Sequence, residues 1–118
     1  MSTERESAEV FAALCSAHAR EMLVAAASEQ FSAEEFADHC DVSLPTVYRH
    51  VEALVDLGML EERTELDPDG NHYTVYRTNL DYVRFDLNQS GFLATVRRQL
   101  DVVDRFGDLW NDLEAPSD

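Results

Sequence analysis

The sequence predicts an α+β fold in one compact unit, with helices in its first half and β hairpins in its second. Apolar residues recur at helical spacing from the N-terminus to about residue 57. From Met59 to Val96 they instead alternate with polar residues between turn-forming stretches. With 118 residues and 45% hydrophobic content, the chain can bury one modest core and is too short for two.

The first two helices are predicted from spacing and composition. Val10, Phe11 and Leu14 repeat at helical intervals and predict an amphipathic helix over residues 4–15. An alanine-rich stretch predicts a second helix over residues 17–27. These helices should form one side of the core.

The next two helices are marked by capping residues. Ser32 is followed three residues later by Glu35, the spacing of a capping box, and predicts a short helix that ends near His39. Ser43 is a second N-cap, with a proline in the first turn, and its helix is expected to stop at Gly58. A tight turn then joins two consecutive helices.

Two hairpins are predicted after these helices. Met59–Leu66 and His72–Arg77 read as strands around a five-residue turn, Asp67–Asn71. Tyr82–Leu87 and Phe92–Val96 flank an Asn-Gln-Ser-Gly turn and predict a second hairpin, with a helix as the alternative because short apolar runs are ambiguous.

The last stretch, Asp101–Leu113, is predicted to be a helix with one apolar seam. The seam residues are spaced by 3, 4 and 3 positions: Val103, Phe106, Trp110 and Leu113. The chain is thus expected to comprise residues 1–80, a helical part with one hairpin, and residues 81–118, a second hairpin and the last helix, packed as one unit.

The charge is strongly negative. The net charge is −15, with 24 Asp and Glu against nine basic residues, and all nine are Arg. High net charge without Lys predicts adaptation to a salty cytoplasm, and the alternative is an acidic surface made for a basic partner. The N-terminus is polar and no apolar run is long enough to span a bilayer, so we expect a cytoplasmic protein without membrane contact.

The order of elements, with two helices joined by a tight turn and then a hairpin, is that of a winged helix-turn-helix. The helix after Ser43 has an apolar back at Leu44, Val47, Val51, Leu54 and Leu57. Its predicted front is Thr46, Arg49, His50 and Ala53, with Tyr48 on the flank. Arginine and threonine on such a front suit base edges in the major groove, and a tyrosine hydroxyl suits a phosphate.

This front is free of acid. The run Val42–Val51 contains no Asp or Glu, although acids are abundant elsewhere in the chain. An acid there would face the negative phosphates of a duplex. Acid-free runs also arise by chance, as in Phe92–Leu100. The run Val42–Val51 supports a DNA-binding surface because it falls on the capped helix with its polar front.

The stretches SLPTVYRHVEALVDLGMLEER and DPDGNHYTVYR resemble the winged helix-turn-helix of ArsR-like transcriptional regulators from haloarchaea. ALCSAHAREMLVA is similar to a family helix that usually reads ALxNPTRxxIL; Ala17 and His18 replace its proline and threonine, and Arg20 lies close to its basic position. The resemblance covers about half the chain. It implies double-stranded DNA as the partner and a homodimer. The Cys pairs and His/Asp clusters of the metal-responsive branch are absent from this sequence, so metal sensing is not implied.

Candidate DNA contacts follow from the capped helix, the wing and the resemblance. They are Arg20, Ser32, Ser43, Pro45, Thr46, Tyr48, Arg49, His50, Arg63, His72 and Tyr73. Each has a plainer alternative. Arg49 could pair with Glu52, His50 could pack against the turn, and the serines need do no more than cap. Asp67 and Asp69 at the wing tip oppose close phosphate approach.

Cys15 and Cys40 are expected to be small buried hydrophobes, and a thiol redox sensor is the alternative. The His and Cys residues do not have the regular spacing of metal ligands, so no metal site is predicted. No cofactor is expected. The sequence shows no nucleophile paired with a base, so an enzyme is not expected. Phe11 and Leu14, together with the seam of the last helix, are expected to form the dimer interface.

These observations predict a homodimeric, sequence-specific DNA-binding transcription regulator of a halophilic archaeon, with K⁺ or other cations at the DNA interface. The main rival is a winged-helix module that binds protein and does not read DNA. In that case the acidic surface would be the contact.

Overall fold

A computed structural model describes residues 3–99, with side chains from residue 6 onward. Four helices and five strands follow one another in chain order. They are α1 (Thr3–Leu14), α2 (Ala17–Ser28), β1 (Phe31–Ser32), α3 (Ala33–Cys40), α4 (Leu44–Asp56), β2 (Leu60–Leu66), β3 (His72–Thr78), β4 (Leu80–Asn88) and β5 (Gly91–Arg98). The predicted helix Asp101–Leu113, with its seam Val103, Phe106, Trp110 and Leu113, lies outside the described residues.

The α+β fold and both hairpins are confirmed. β2 and β3 pair antiparallel around the five-residue loop that the turn residues predict. β4 and β5 form a separate antiparallel hairpin, so the strand interpretation of that region is right and the helix alternative is wrong. The alternation of apolar residues in β4 decides this, because it leaves one apolar face for α1 to cover.

One strand was not predicted. β1 is two residues long and pairs antiparallel with β3, so that Phe31 lies opposite Tyr76 and Ser32 opposite Val75. It is too short to produce a recognisable alternation. It nevertheless joins the start of α3 to the three-stranded sheet β1-β3-β2, which fixes the hairpin relative to the helices.

The core lies between the helices and this sheet. Its fully buried side chains come from all four helices and from the residue just before β2: Val10, Met22, Phe36, Val47, Leu54 and Met59. The aromatic ring of Phe36 stacks on Phe31 at 5.1 Å and lies 6.2 Å from Tyr76, which closes the core on the side of the sheet. Leu44 was predicted to anchor α4 to the core, but it is exposed, because the first turn of α4 projects beyond the core.

Hydrogen bonds tie the C-terminal hairpin to the rest of the fold. Near the tip, the main-chain N–H of Ala94 donates to Ser7 Oγ on α1 at 2.9 Å. At the base, the N–H of Gln99 donates to the carbonyl of Asn79 at 2.9 Å, and that residue's N–H donates to the carbonyl of Met59. The hairpin is therefore anchored both to α1 and to the end of α4.

Candidate nucleic-acid interface

The start of α4 is built by its N-cap. Ser43 Oγ accepts the N–H of Thr46 at 3.4 Å and donates its own proton to Thr46 Oγ1 at 3.0 Å. Pro45 lies in the first turn, where its missing N–H removes no helical hydrogen bond. Asp41 ends α3 in the left-handed region at φ 57°, and this allows the chain to turn sharply into α4. The first turn of α4 is thus held rigidly at the surface.

The exposed face of α4 follows helical spacing. It consists of Leu44, Pro45, Tyr48, Arg49, Glu52, Ala53 and Asp56. The first two turns of this face carry no acid, and the carboxylates are confined to the later turns. Within the described residues Arg49 forms no ion pair, with Glu52 or with any other carboxylate. Its guanidinium is therefore available to an external acceptor, and the N-terminal half of the helix can approach an anionic surface.

Two residues of the predicted front of α4, Thr46 and His50, are half-buried rather than exposed. His50 is half-buried and turned toward the junction of α1 and α2, where its Nε2 lies 3.4 Å from Ser16 Oγ. Burial, then the charges of Arg49 and His18, lower the pKa of His50, so the imidazole is neutral near pH 7. His50 therefore packs against the α1–α2 junction, whereas the plainer alternative placed it against the turn before α4. Tyr48, by contrast, is half exposed and belongs to the outward face.

Two other candidates have structural partners. The capping box predicted at Ser32 is confirmed, because Ser32 Oγ accepts the N–H of Glu35 and Glu35 Oε1 accepts the N–H of Ser32 at 2.8 Å. Arg20 is exposed on α2, and its Nη1 donates to the carbonyl of Leu14 at 2.7 Å. This bond satisfies a free carbonyl at the end of α1.

The wing candidates are exposed on the β2–β3 hairpin. Arg63, His72 and Tyr73 all reach solvent. At the tip, Asp67 Oδ1 accepts the N–H groups of Asp69 and Asn71, at 2.9 and 2.8 Å, so its carboxylate shapes the turn. The wing candidates are therefore an arginine, a histidine and a tyrosine beside an acidic tip.

Tyr76 was not singled out from the sequence. It is buried on β3, and burial, then the charge of Glu62, followed by Tyr48 and Glu34, raises the pKa of its phenol. The influence of Tyr48 on this pKa indicates that the exposed Tyr48 of α4 lies near Tyr76 of β3.

Comparison with known families agrees with this geometry. The sequence model of a family described as "Helix-turn-helix domain" matches residues 4–63, just over half of the chain. The chain belongs to this helix-turn-helix domain family. Membership indicates DNA-binding transcription regulation, and domains of this family are typically non-enzymatic. None of the curated proteins compared with the chain matches it.

The two cysteines of this helix-turn-helix domain differ in environment. Cys40 is buried at the end of α3, as predicted, and burial, then the charge of Glu21, raises the pKa of its thiol. Cys15 is exposed at the end of α1. The prediction that Cys15 is buried is therefore wrong, because the chain breaks its helix there and turns the side chain outward.

Neither a membrane helix nor a metal cluster is found in the described part of this domain. No single helix within residues 3–99 is long and apolar enough to cross a bilayer; the pair Glu6–Leu14 and Ala17–Ser28, bent by 88°, meets the length and composition test only when both are joined. Among the same residues, no group of three His, Cys, Asp or Glu side chains could hold a metal ion.

The two described members of the predicted dimer interface lie in different settings. Leu14 is half-buried and packs against the core. Phe11 is half exposed, and its ring contacts Phe85 of β4 and Phe92 of β5. The helix-turn-helix domain therefore presents α1 and the C-terminal hairpin as one continuous surface.

The role of Arg98 was not predicted from the sequence. Its Nη2 donates to the carbonyl of Leu57, the C-cap of α4, at 2.6 Å. Two adjacent arginines on a strand carry no signal of which one will cap a helix 41 residues earlier. The contact links the C-terminal hairpin directly to the helix that bears the exposed face.

Proposed function

We propose that this protein is a sequence-specific, homodimeric DNA-binding transcription regulator of the ArsR-like type found in haloarchaea, acting in a salt-rich cytoplasm. The observation that carries the proposal is the outward face of α4, whose first two turns are free of acid and present Tyr48 and Arg49. An arginine can form two hydrogen bonds with guanine, and tyrosine can reach a phosphate.

We propose a division of labour along the chain. Residues 1–80 bind DNA through α4, with Ser43, Pro45 and Thr46 at the helix start. The wing residues Arg63, His72 and Tyr73 lie beside the backbone, with Arg20 and Ser32 as outer contacts. Residues 81–118, with Phe11 and Leu14, support the dimer. Two copies of α4 would then read half-sites about 34 Å apart.

The proposed DNA surface is small and surrounded by acid. From Ser32 to Arg77 the chain carries three Arg against eleven Asp and Glu. Carboxylates near phosphates are tolerated only if cations lie between them. We therefore propose that K⁺ or other cations are held at the protein–DNA interface, and that no catalytic step or cofactor is involved.

Selection from a random pool of double-stranded DNA, in molar KCl, tests this function. The full-length protein should enrich a motif of two related half-sites separated by about one helical turn. Band-shift titration of the enriched site against a scrambled site then measures specificity. Enrichment of no motif at any KCl concentration would contradict sequence-specific binding.

A second candidate function is favoured by the charge of the molecule. With a net charge of −15, the domain could bind a basic protein partner through its acidic surface. Binding of this kind weakens steeply as salt screens the charges. The selection experiment separates the two, because a protein-binding module enriches no DNA motif.

A further inference from the structure

A cleft of about 440 Å³ lies between α1 and α4. It is bounded by residues of Glu9–Ser16 on one side and of Arg49–Leu57 on the other, and we call it the α1–α4 cleft. Small-molecule sites in proteins usually have volumes of about 300–1,000 Å³. The α1–α4 cleft is therefore large enough for a small organic molecule.

The direction of the cleft follows from one contact. Ser16 Oγ lies 3.4 Å from His50 Nε2, so these two residues mark one end. Seven helical residues span about 10 Å, so Glu9 and Leu57 each lie about that far from the contact. Both line the same cleft, which requires α1 and α4 to run in opposite directions along it. Glu9 therefore faces the last turn of α4.

The end marked by Ser16 carries a positive charge. Arg49 is exposed there, and within residues 6–99 it forms no ion pair. Burial, then the charges of Arg49 and His18, lower the pKa of His50, which shows that the guanidinium lies near the imidazole. An arginine can donate two parallel hydrogen bonds to one carboxylate. A guanidinium beside an imidazole and a hydroxyl therefore suits a carboxylate ligand.

The opposite end of the cleft is acidic. Glu9 of α1 and Asp56 of α4 line it, and both are exposed. Neither carboxylate forms an ion pair with any residue of the described range 6–99. Ionised carboxylates only accept hydrogen bonds, and an ammonium group only donates them. This end therefore suits an ammonium group.

Small apolar side chains form the middle of the cleft. They are Ala12 and Ala13 on one wall and Ala53 on the other. Their methyl groups leave the space open and favour contact with a short hydrocarbon chain over water. A ligand site with apolar walls and a few polar groups at fixed places both holds a molecule and orients it.

We infer that the α1–α4 cleft binds a small zwitterion, a molecule with a carboxylate at one end, an ammonium group at the other and a short hydrocarbon chain between them. The carboxylate lies at Arg49 and His50. The ammonium group lies at Glu9 and Asp56.

This ligand competes with DNA for Arg49. The guanidinium cannot donate to the ligand and to a base pair at once, so the ligand lowers the affinity for DNA. By linkage, DNA lowers the affinity for the ligand by the same factor. The competition rests on the proposed function, whereas the binding site does not.

An NMR titration of the full-length protein in constant molar KCl tests the site, with ε-aminocaproate as the probe. Caproate and hexylamine are the controls, because each keeps the hydrocarbon chain and only one of the two charges. The methyl signals of Ala12, Ala13 and Ala53 should shift, and that of Ala27, exposed on α2, should not. The zwitterion should bind about tenfold more tightly than either control. Equal affinities for the three probes, or no shift of the three methyl signals, overturns the inference.

Substitution in the cleft provides the second test. Glu9→Gln should weaken binding of ε-aminocaproate about tenfold without weakening that of caproate, because only the ammonium group loses its partner. Glu6→Gln, at an exposed position one turn earlier on α1, is the matched control. Ala53→Leu should abolish binding by filling the middle of the cleft, whereas Ala27→Leu should not. Circular dichroism verifies folding, and wild-type affinity in folded Glu9→Gln and Ala53→Leu would refute the site.

The competition and the proposed function are tested separately. Saturating ε-aminocaproate should weaken binding to the selected DNA site about fivefold or more in a band-shift titration, and unchanged affinity overturns the competition. A protein that binds the probe in the cleft and enriches no DNA motif keeps the site and loses the proposed function. A protein that enriches a motif and does not bind the probe keeps the proposed function and loses this inference.

Discussion

Arg98 of β5 caps α4 by donating a hydrogen bond of 2.6 Å to the carbonyl of Leu57. The carbonyl end of a helix carries partial negative charge, so an arginine there is favourable as a charge and as a donor. The next residue, Gly58, has φ 73°, and a Cβ at this position would overlap the guanidinium of Arg98. The C-terminal end of α4 therefore packs closely against Arg98 of the C-terminal hairpin.

Arg98→Ala should lower the free energy of unfolding by about 1.5–3 kcal/mol, the usual worth of a hydrogen bond to a charged group. Arg97→Ala, at an exposed neighbour on the same strand, is the control and should cost less than about 0.5 kcal/mol. Denaturant titration in constant high KCl measures both. Equal effects of the two variants would mean that the contact with Leu57 contributes nothing to stability.

Arg49→Ala should weaken binding to the selected site by about 1–3 kcal/mol and relax base preference at one position in each half-site. The reason is the guanidinium of Arg49 on the acid-free first turns of α4, which forms no ion pair with any carboxylate of residues 6–99. Arg84→Ala is the matched control, since Arg84 is exposed on the C-terminal hairpin and pairs with Asp86 at 3.1 Å. Affinity and base preference that both match the wild type would exclude Arg49 from the interface.

His50 should make stability depend on pH. Its pKa is lowered in the folded state, chiefly by burial, so the unfolded chain binds the proton more readily. The stability associated with neutral His50 is present above the unfolded pKa of about 6.5 and declines as pH falls from there toward the lower folded pKa. Thermal unfolding of wild type and His50→Gln from about pH 8 to about pH 5 should show a steeper loss in the wild type. Parallel curves would contradict this.

The sequence predicted those parts of the fold that local chemistry determines. Ser32 and Ser43 cap helices because their hydroxyls reach N–H groups three residues away, and such spacing is visible in a sequence. His50 could not be placed, because helical spacing alone does not show whether α1 or solvent lies beside that turn. Arg98 could not be found, because its partner is 41 residues distant. Contacts between distant elements depend on packing, which the periodicity of one element does not encode.

The cysteines should react at different rates with a thiol reagent. Cys15 is exposed, whereas Cys40 is buried and its pKa is raised, so Cys40 has little thiolate and no access. We expect one thiol per native chain to react quickly, and the second only after denaturation. If DNA binding responds to oxidant, Cys15→Ser should abolish the response and Cys40→Ser should preserve it. Two thiols that react quickly in the native protein would contradict the burial of Cys40.

The salt dependence of DNA binding should be shallow or inverted. An ordinary DNA-binding protein displaces condensed cations with Lys and Arg, and log K falls with log salt at about −0.9 per neutralised phosphate. Here Arg49 and Arg63 are exposed near the proposed contact surface, while Glu52, Asp56 and the wing tip add carboxylates. Cations are therefore retained or taken up when the complex forms, and this offsets the release from DNA.

High salt also favours binding through short-range contacts between α4 and DNA. At about 1 M salt the Debye length is about 3 Å, so repulsion between distant carboxylates and phosphates is screened. Hydrogen bonds from Tyr48, Arg49 and the start of α4 act at shorter range and persist. Titration of the selected site from about 0.2 M to about 2 M KCl, with folding monitored in parallel, measures the slope. A steep negative slope, with binding lost while the protein stays folded, would show that cation release drives the complex and that the acid-free face does not act as proposed.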